Sequence, residues 1–567
     1  MSARCMTTAM THKRTVELRI IETTDVHGSF FSYNYIDHRP EKGSLSRVAT
    51  YIKSLRRQYA DRLLLLDNGD ILQGQPTCYY CNYINPKMEN VAASIVNYLD
   101  YDAQVIGNHD IETGHEVYDK WRGEVRCPML GANVIDTTTG KPYLQPYAIF
   151  VRQGVKIAVL GMLTTAIPYW LNEKLWSGLH FEEMVGSAAR WVKYLKDNEQ
   201  PDIIIGLFHA GLKGGIVTEE YQENPTLEVA EKVDGFDLIL YGHDHVRHSQ
   251  TVYSPNGSQV LLLNPSSNAL FIGDAQITVT FEGDKIMGKK VSGEIRDVRD
   301  IAVDNDFENH FKDARESVSN YVNRKVGVFS KAVYTRDCYF GNSAFSDFIH
   351  MLQLKITGAD ISFNAPLTFN ACIPEGDVCM SDMFNLYRYE NQIYTMKLTG
   401  REILGHLEMS YDLWVNTMKS PDDHIMLLDE NKSANGRQAF FKNLAFNFDS
   451  AVGIDYEVDV TKPNGQKVNI LRMSNGEPFL LDKTYLVAMN SYRGNGGGEL
   501  LTKGAGIPHH ELKERVVWIS ERDQRYYLTR EIEKMKTADP QPLHNWRFVP
   551  EEWTLKAIER DRELLFN

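Results

Sequence analysis

Five short clusters of Asp, Asn and His residues each follow an apolar run in the sequence. These residue types bind metal ions, and each apolar run has the length of a buried strand. One such cluster alone is weak evidence, because a polar turn often follows a strand. Five clusters at equivalent positions predict one shared site. In chain order they are Asp25-Val26-His27, Asp67-Asn68-Gly69-Asp70, Gly107-Asn108-His109-Asp110, His209 and His243-Asp244-His245.

The strands predicted before these clusters would bring them together. Side chains at the carboxyl ends of neighbouring strands in an open α/β sheet converge on one crevice. Oxygen and imidazole ligands suit Zn, Mn, Fe or Co, and more than six ligands exceed the needs of one ion. We therefore expect two divalent ions that share a carboxylate. Gly69 lets the backbone turn between Asp67 and Asp70, and we expect Asp70 to be shared.

Composition narrows the class of substrate. The chain has 567 residues, of which 43% are hydrophobic and 24% charged, as in an ordinary globular protein. Its net charge of -14 argues against binding a long nucleic acid, which requires a basic face. A small phosphate ester remains compatible, because bound cations can reverse the local field.

The pattern of helices and strands divides the chain into two domains, as expected at this length. A tail of residues 1–15 precedes an α/β domain over residues 16–305, which includes a helix over Leu45–Tyr59 capped by Ser44. Residues 306–326 are charged and helical and are predicted to be a linker. An α+β domain follows over residues 327–540. The C-terminal tail, residues 541–567, is expected to pack back as strand and helix.

The sequence also bears on membranes and compartment. No run approaches 18 apolar residues, so no membrane span is predicted. The first fifteen residues lack the apolar core of a signal peptide, which indicates a cytoplasmic protein unless the native start has been trimmed or misassigned.

The cysteine content indicates the redox state of the thiols. Seven cysteines, an odd number, favour reduced thiols. Cys78 and Cys81 form a C-x-x-C that we interpret as two ordinary thiols, with a disulfide or redox pair as the alternative.

A glycine-rich stretch follows a predicted strand near the end of the second domain. It does not match G-x-G-x-x-G or the P-loop, so no dinucleotide or triphosphate site is predicted. Tyr492 in this stretch could stack on a base, which contributes about 1 to 3 kcal/mol per base. A glycine-rich hairpin with a core tyrosine explains the same residues equally well. The stretch is Asn490-Ser491-Tyr492-Arg493-Gly494-Asn495-Gly496-Gly497-Gly498.

Taken together, the motifs D-x-H, D-x-x-D, G-N-H-D, strand-His and G-H-x-H resemble the signature of the calcineurin-like metallophosphoesterases. The two-domain layout resembles the nucleotidase branch of that family. Three stretches are similar to its 2',3'-cyclic-nucleotide 2'-phosphodiesterase/3'-nucleotidases: residues 18–25, residues 385–389 and residues 490–493 with the glycines that follow. The resemblance implies a β-sandwich metallophosphoesterase domain flanked by helices, joined by a helical linker to an α+β nucleotide-recognition domain.

The resemblance also implies roles for individual residues. Asp25, His27, Asp70 and His245 would bind one ion, and Asp70, Asn108, His209 and His243 the other. His109 would face the substrate, oriented by Glu112. Tyr389 and Tyr492 would hold the base between them, and the remaining substrate-binding residues would be Asn364, Gly496 and Gly497.

This sequence departs from the 5'-nucleotidases of the branch at three places. Glu112 stands where those enzymes place an Asp that orients the catalytic His, although a longer carboxylate could still reach the ring. Gly498 stands where they carry an acidic residue for the ribose hydroxyls. The arginine after their Asn-Gly-Gly-Gly run is not recognisable near Asn364-Ala365-Pro366. These departures favour a cyclic phosphodiester or 3'-phosphate substrate.

The expected function is therefore metal-dependent hydrolysis of nucleotide phosphoesters, with 2',3'-cyclic-nucleotide 2'-phosphodiesterase and 3'-nucleotidase activity, by in-line attack of a hydroxide that bridges the two ions. The alternatives are a 5'-nucleotidase or nucleotide-sugar hydrolase, and a non-catalytic nucleotide-binding protein. The expected partner is a small nucleotide, with no long nucleic acid and no membrane, and the chain is expected to be a monomer. By family resemblance the periplasm or cell envelope is the alternative compartment.

Overall fold

The computed structural model describes residues 13–218, 221–429 and 439–566. The chain divides into two units. Unit 1 runs to Pro168 and again from Glu173 to Ser319, whereas unit 2 comprises Tyr169–Asn172 and the chain from Asn320 onward. The division after Ser319 falls inside the segment predicted as linker. Most of the predicted N-terminal tail, and Cys5, lie outside the described residues, and residues 13–15 already belong to the first strand.

Unit 1 contains two six-stranded sheets. Their facing sides share one apolar core, which includes Leu18 and Leu64 from the first sheet and Ile205 and Leu240 from the second. The predicted β-sandwich is therefore confirmed. In spatial order the first sheet is Lys285–Asp297, Phe271–Glu282, Lys13–Thr23, Leu63–Asp67, Ala103–Val105 and Met129–Leu130, and the second is Arg247–Tyr253, Gln259–Pro265, Leu238–Tyr241, Ile203–His209, Val155–Leu163 and Tyr147–Arg152.

The predicted metal-ligand clusters follow parallel strands, but not strands of a single open sheet. Three clusters follow neighbouring parallel strands of the first sheet, and two follow neighbouring parallel strands of the second. The expectation of one open sheet was therefore wrong. A sandwich can still bring five strand ends together, because parallel strands in both sheets end on the same side of the shared core.

Helices cover the outer faces of unit 1. The helix Leu45–Tyr59 begins at Ser44, whose side chain accepts from Arg47 N, and it buries Leu45, Val48, Ile52 and Leu55 as its spacing predicts. The other main helices are Val91–Leu99, Asn108–Glu112, His115–Glu124, Met184–Tyr194 and Thr226–Lys232. The predicted linker forms two helices, Asn305–His310 and Lys312–Val322, and Phe307 of the first packs against Phe31 and Tyr98.

Unit 2 is α+β, as predicted. Its five-stranded sheet has the order Ser450–Val452, Ile361–Asn364, Thr484–Asn490, Gln392–Thr399 and Val516–Asp523, and its main helices are Ala344–Thr357, Met380–Leu386, Gly400–Trp414, Gln524–Met535 and Glu551–Phe566. Near the C terminus, the strand Trp546–Val549 pairs in parallel with Ile454–Asp459 and is followed by the last helix.

Within the described part of the chain, no helix combines the length and apolar composition that crossing a bilayer requires.

Candidate metal centre and substrate site

Two groups of metal-ligand side chains face each other where the strands of unit 1 end. One consists of Asp25, His27 and His245, and the other of Asp70, His209 and His243; within each group the ligand atoms lie within 4.8 Å of one another. In the first group, His245 Nε2 lies 3.0 Å from His27 Nε2 and 3.2 Å from Asp25 Oδ1. Each group has the size of a single metal site.

Asp70 belongs to the second group but also faces the first. Its Oδ2 is 3.2 Å from His209 Nε2 and 4.0 Å from His27 Nε2, so that one oxygen faces both groups. Its Oδ1 accepts a hydrogen bond from His109 N at 2.8 Å. Asn108 completes the second group, because its Oδ1 is 3.0 Å from His209 Nε2 and 2.8 Å from His243 Nδ1.

The side chains present fit a pair of divalent ions. Asp25 Oδ1 and Asp70 Oδ2 are buried, and within the described residues neither has a hydrogen-bond donor in good geometry. A buried carboxylate oxygen without a donor is costly unless a cation compensates for it. Mixed carboxylate, amide and imidazole ligands are the set that Zn, Mn, Fe and Co accept.

Neighbouring groups determine which ring nitrogen of each histidine points into the site. His27 Nδ1 donates to Gln73 O at 3.1 Å, and His209 Nδ1 donates to Asn68 O at 2.6 Å, which leaves Nε2 of both rings for metal. In His243 the two ring nitrogens exchange these positions. Its Nε2 lies 3.0 Å from Glu223 Oε1, and its Nδ1 faces Asn108. Such outer partners fix the tautomer of a metal-binding histidine. Glu223 could not be singled out from the sequence, because it follows no recognisable motif.

The charges in the site also suit cations. Burial raises the pKa of Asp70, but His209 and His109 outweigh it and hold that pKa well below its usual range. The pKa of Asp25 is likewise lowered, because His245 and His209 outweigh the effect of burial. Burial and the neighbouring His245 lower the pKa of His27 to about 3. At neutral pH Asp25 and Asp70 are therefore ionised and His27 is neutral. Burial opposes protonation of His209 and His245, but Asp70 raises the pKa of His209 to about 10 and Asp25 raises that of His245, so these two rings must lose a proton when a metal ion binds.

Asp110 connects two of the ligand-bearing loops. Its carboxylate accepts from the backbone amides of Asp70, Ile71 and Leu72 at 2.9, 3.0 and 2.9 Å, and from Gly107 N at 2.8 Å. The loop that carries Asp70 is thereby fixed to the start of the helix Asn108–Glu112. Asp110 has no role among the predictions made from the sequence.

His109 lies at the edge of this centre, with 29% of its side chain exposed. Its Nδ1 is 2.6 Å from Glu112 Oε2, so the longer carboxylate does reach the ring. Burial opposes protonation, but Asp70 and Glu112 outweigh it and raise the pKa of His109 to about 9. With Nδ1 engaged by Glu112, the proton that His109 can offer to another molecule is on Nε2.

The predicted substrate residues all belong to unit 2. Asn364 ends its strand and is buried, and among the described residues its Nδ2 has no hydrogen-bond partner. Tyr389 is half-buried in the irregular segment between Met380–Leu386 and Gln392–Thr399. Gly496 has a φ of +101°, and a Cβ on Gly497 would lie 2.5 Å from the Tyr492 ring. Gly497 therefore packs directly against Tyr492.

The glycine-rich stretch is neither an open loop nor a hairpin. Ser491–Gly494 forms a helical turn capped by Asn490, whose Oδ1 accepts from Arg493 N at 2.8 Å, and Gly497–Glu499 forms a second turn. One ring beside Tyr492 is that of Phe446, at a centroid distance of 6.0 Å and an interplanar angle of 84°. Phe446 could not be singled out from the sequence, because it follows no glycine or metal motif.

Two family models match the chain. Residues 18–247 match the calcineurin-like phosphoesterase model, and residues 325–503 match the model of the 5'-nucleotidase C-terminal domain. The chain is a calcineurin-like phosphoesterase with a 5'-nucleotidase C-terminal domain. Calcineurin-like phosphoesterases use a dinuclear divalent metal centre, and the two ligand groups of unit 1 are where this phosphoesterase would hold it. The chain is thus a metal-dependent enzyme that hydrolyses nucleotide phosphoesters.

Named relatives agree with this family. The chain is 28% identical to the trifunctional nucleotide phosphoesterase protein YfkN of Bacillus subtilis, over 96% of this chain but only 40% of that protein. It is 24% identical to a 2',3'-cyclic-nucleotide 2'-phosphodiesterase/3'-nucleotidase of Yersinia enterocolitica, over 96% of this phosphoesterase and 90% of the relative. A Staphylococcus aureus structure classed as a 5'-nucleotidase superposes with a TM-score of 0.76 at 19% identity, covering 94% of this chain and 100% of that one.

Proposed function

We propose that this phosphoesterase hydrolyses 2',3'-cyclic nucleotides to 3'-nucleotides and then removes the 3'-phosphate. In the first step water adds across the bond between phosphorus and O2', so that phosphorus gains the water oxygen and O2' gains a proton. In the second step water adds across the bond between phosphorus and O3', which releases inorganic phosphate and the nucleoside. The names of relatives such as the Yersinia enterocolitica enzyme support this choice of substrate.

The observation that carries the choice is the environment of Gly498. A Cβ at this position would lie 2.1 Å from Asn447 Oδ1 and 2.4 Å from Arg493 Nη1, and the residue has a φ of +70°. An acidic side chain, which 5'-nucleotidases of the branch would place here for the ribose hydroxyls, would strain the backbone and displace the side chains of Asn447 and Arg493. A ribose whose 2' and 3' oxygens carry phosphate does not need that acid.

In this proposal Asp25, His27, Asp70 and His245 hold one ion, and Asp70, Asn108, His209 and His243 hold the other. Two divalent ions there would polarise the phosphoryl oxygens and make water acidic enough to attack at neutral pH. The carboxylates of Asp25 and Asp70 are already ionised, so they bind cations without first losing a proton.

His109 acts as the proton donor. Glu112 holds Nδ1, so the ring presents Nε2–H towards the leaving oxygen of the ester. The raised pKa keeps the ring charged at neutral pH, which also offsets negative charge on the phosphoryl group. Divalent ions nearby would lower this pKa towards neutrality and make the proton easier to transfer.

The base is bound in unit 2. Tyr492 offers the ring on which a base stacks, and Gly496 and Gly497 let the chain approach it closely. Phe446 lies edge-on to Tyr492 and takes part in the same pocket. The unpaired amide of Asn364 is available for a polar group of the nucleotide, and Tyr389 keeps the second stacking role that sequence resemblance implies.

A 5'-nucleotidase is the second candidate. The observation in its favour is that residues 325–503 match the C-terminal domain model of that class. Its substrate differs only in which ribose oxygen carries the phosphate, so the metal centre does not separate the two candidates.

Product analysis separates them. With Mn²⁺ present, 2',3'-cyclic AMP, 3'-AMP and 5'-AMP are offered in parallel, and products are resolved by chromatography. We expect 2',3'-cyclic AMP to give 3'-AMP and then adenosine, with 5'-AMP hydrolysed far more slowly. Hydrolysis of 5'-AMP alone would contradict the proposal and establish the second candidate.

A further inference from the structure

Arg493 is an almost completely buried arginine of unit 2, next to Tyr492 in the chain, with 2% of the residue exposed. A buried guanidinium is rare unless it is paired. Its partner is the buried carboxylate of Asp449, which accepts from Arg493 Nε at 2.8 Å and from Nη2 at 3.2 Å. The metal centre described above uses neither residue.

The other donors of Arg493 bind the backbone of two distant segments. Nη1 donates to Gly497 O, in the turn that packs against Tyr492, and Nη2 donates to Phe446 O at 3.1 Å. Both nitrogens also approach Asn447 Oδ1, at 3.3 and 3.4 Å. One planar guanidinium thus connects the segment of Phe446 to the turn of Tyr492. A lysine ammonium could not do so, because it lacks the rigid fork of donors.

Asp449 is itself held from the opposite side. Its Oδ2 accepts from His406 Nε2 at 2.8 Å, and the His406 ring stacks on Phe363 with centroids 4.1 Å apart. Phe363 precedes Asn364 in the same strand. Burial raises the pKa of Asp449, but Arg493 and His406 outweigh it and lower that pKa to about 2. The network of Arg493, Asp449 and His406 therefore connects the segments of Phe446, Tyr492 and Asn364. Of the proposed substrate segments of unit 2, only that of Tyr389 lies outside it.

We infer that Arg493 is a positioning residue for nucleotide binding, which with Asp449 holds Phe446, Tyr492 and Gly497 in the arrangement that receives the base. Its donors are engaged within unit 2 by Asp449, Phe446 O and Gly497 O, so we expect it to act on the affinity for nucleotides and not on the chemical step. The inference rests on the proposed function, because it presupposes that a nucleotide base binds beside Tyr492.

The test compares a nucleotide with a phosphate ester that has no base. Arg493→Lys keeps the charge beside Asp449 but loses the bonds to Phe446 O and Gly497 O. We expect KM for 3'-AMP to rise about tenfold with kcat nearly unchanged, the signature of lost binding that is equal in ground and transition states. Both constants for 4-nitrophenyl phosphate should stay at the wild-type values. Asn447→Ala, which removes only the contact to Asn447 Oδ1, should raise KM for 3'-AMP by a smaller factor.

The control is another buried cation of unit 2. Lys467 pairs with Asp412 at 2.8 Å, and among the described residues it forms no hydrogen bond or ion pair with the Arg493 network. Lys467→Met should lower the melting temperature without changing either KM. If Arg493→Lys does not fold, Asn447→Ala decides the test alone. Unchanged KM for 3'-AMP in Arg493→Lys or Asn447→Ala, or equal losses on both substrates, would overturn the inference while leaving the proposed function intact. A wild-type enzyme that turns over 4-nitrophenyl phosphate but no nucleotide would overturn both.

Discussion

Backbone strain is concentrated at the proposed metal ligands. Five of them have positive φ angles, a conformation that costs about 1 to 3 kcal/mol for a residue with a side chain. Surrounding hydrogen bonds hold the strained residues, as Gly69 O and Asp70 O do for the amides of Asp25 and His27. The five ligands are Asp25, His27, Asp70, His243 and His245, with φ between 49° and 76°. The chain thereby turns sharply enough for single residues to point into the site.

Residue types and their positions after strands are enough to propose this site, but the backbone conformations of the residues could not be predicted from the sequence. Asp25 and His27 are recognisable because they follow a strand, whereas their φ of +49° depends on contacts with a loop more than forty residues later in the chain. Glu223 was missed for the same reason, since a helix and a strand lie between it and His243 in the chain and only the fold brings the two side chains together.

The pair of His109 and Glu112 makes a prediction about pH. Glu112 raises the pKa of His109, and a proton donor loses activity as pH rises through its pKa. Glu112→Gln should therefore move the alkaline limb of the kcat profile to lower pH, while Glu112→Asp, which keeps the charge, should move it less. The measurement is kcat for 3'-AMP from pH 6 to pH 10.

A second histidine and carboxylate provide the control for this profile. His115 Nδ1 lies 2.9 Å from Asp119 Oδ2 on the neighbouring helix His115–Glu124. Asp119→Asn should leave the alkaline limb of the kcat profile at the same pH as in the wild type. A limb that stays in place in Glu112→Gln would remove Glu112 from the proton transfer.

At the scale of elements, close packing fixes the start of the helix Asn108–Glu112 against the loop of Asp70. A Cβ on Gly107 would lie 2.1 Å from Asp70 Oδ1 and 2.4 Å from Asp70 N, although the φ of -98° at Gly107 suits any residue. The glycine is needed for space and not for its backbone conformation. Asp110 then secures the contact through four amides.

Gly107→Ala should therefore displace Asp70 and weaken metal binding. We expect fewer than two ions per chain by elemental analysis and a large loss of turnover. Gly123→Ala is the matched control, because Gly123 lies in a helix with no atom within 4 Å of its added Cβ. That variant should bind two ions and be slightly more stable, by about 0.5 to 1 kcal/mol. Normal metal content in Gly107→Ala would contradict this account of the contact.

His350 connects one helix to two strands in unit 2. It is fully buried on Ala344–Thr357, with Nδ1 2.9 Å from Ser362 Oγ and Nε2 3.2 Å from Ser450 Oγ. Burial lowers its pKa to about 3. The unfolded chain, with a histidine pKa of about 6.5, therefore binds more protons than the folded chain between these values, and stability falls as pH decreases through that window.

Removing this histidine should reduce the dependence of stability on pH. His350→Gln keeps hydrogen-bonding capacity but cannot be protonated, so the melting temperature should fall less between pH 7 and pH 4 than in the wild type. Above pH 7 the two curves should run parallel, since neither state then binds a proton at this position. Parallel curves over the whole range would show that His350 does not contribute.

Regular elements were predicted where periodicity and caps agree. Leu45–Tyr59 is the clearest case, with Ser44 at its start and apolar residues at helical spacing. The glycine-rich stretch was not predicted, because its two turns depend on Asn490 and on bonds from the buried Arg493. The chain just before the strand Gln392–Thr399 is irregular, and there Arg525 donates to the carbonyl oxygens of Tyr387 and Arg388.

At the scale of the whole molecule, the proposed metal ligands come from two sheets of unit 1. Bound ions should therefore stabilise the folded state, and a ligand at 100 times its Kd contributes about 2.7 kcal/mol. We expect chelation to lower the melting temperature of the wild type and added Mn²⁺ to restore it. Asp25→Asn, which lacks one proposed ligand, should respond to Mn²⁺ less than the wild type does. The same response in both proteins would contradict the assigned ligand set.

The division into domains could be predicted from the sequence only in outline. Residues 306–326 are recognisably charged and helical, and the units divide within them, after Ser319. The packing of Phe307 and Phe311 against Phe31 of unit 1 could not be predicted from the sequence, because these contacts join residues far apart in the chain. The C-terminal residues were predicted to pack back, and Trp546 and Leu565 are buried in unit 2.

The most direct test of the account is the metal content of Asp70→Asn, measured together with its hydrolysis of 3'-AMP. Asp67→Asn serves as the control, because Asp67 accepts from Thr23 and Gln104 instead of facing the histidines. The account predicts two ions per chain and turnover in the wild type and in Asp67→Asn, and loss of both ions and of turnover in Asp70→Asn. Two bound ions and normal turnover in Asp70→Asn would contradict a centre built around a shared Asp70.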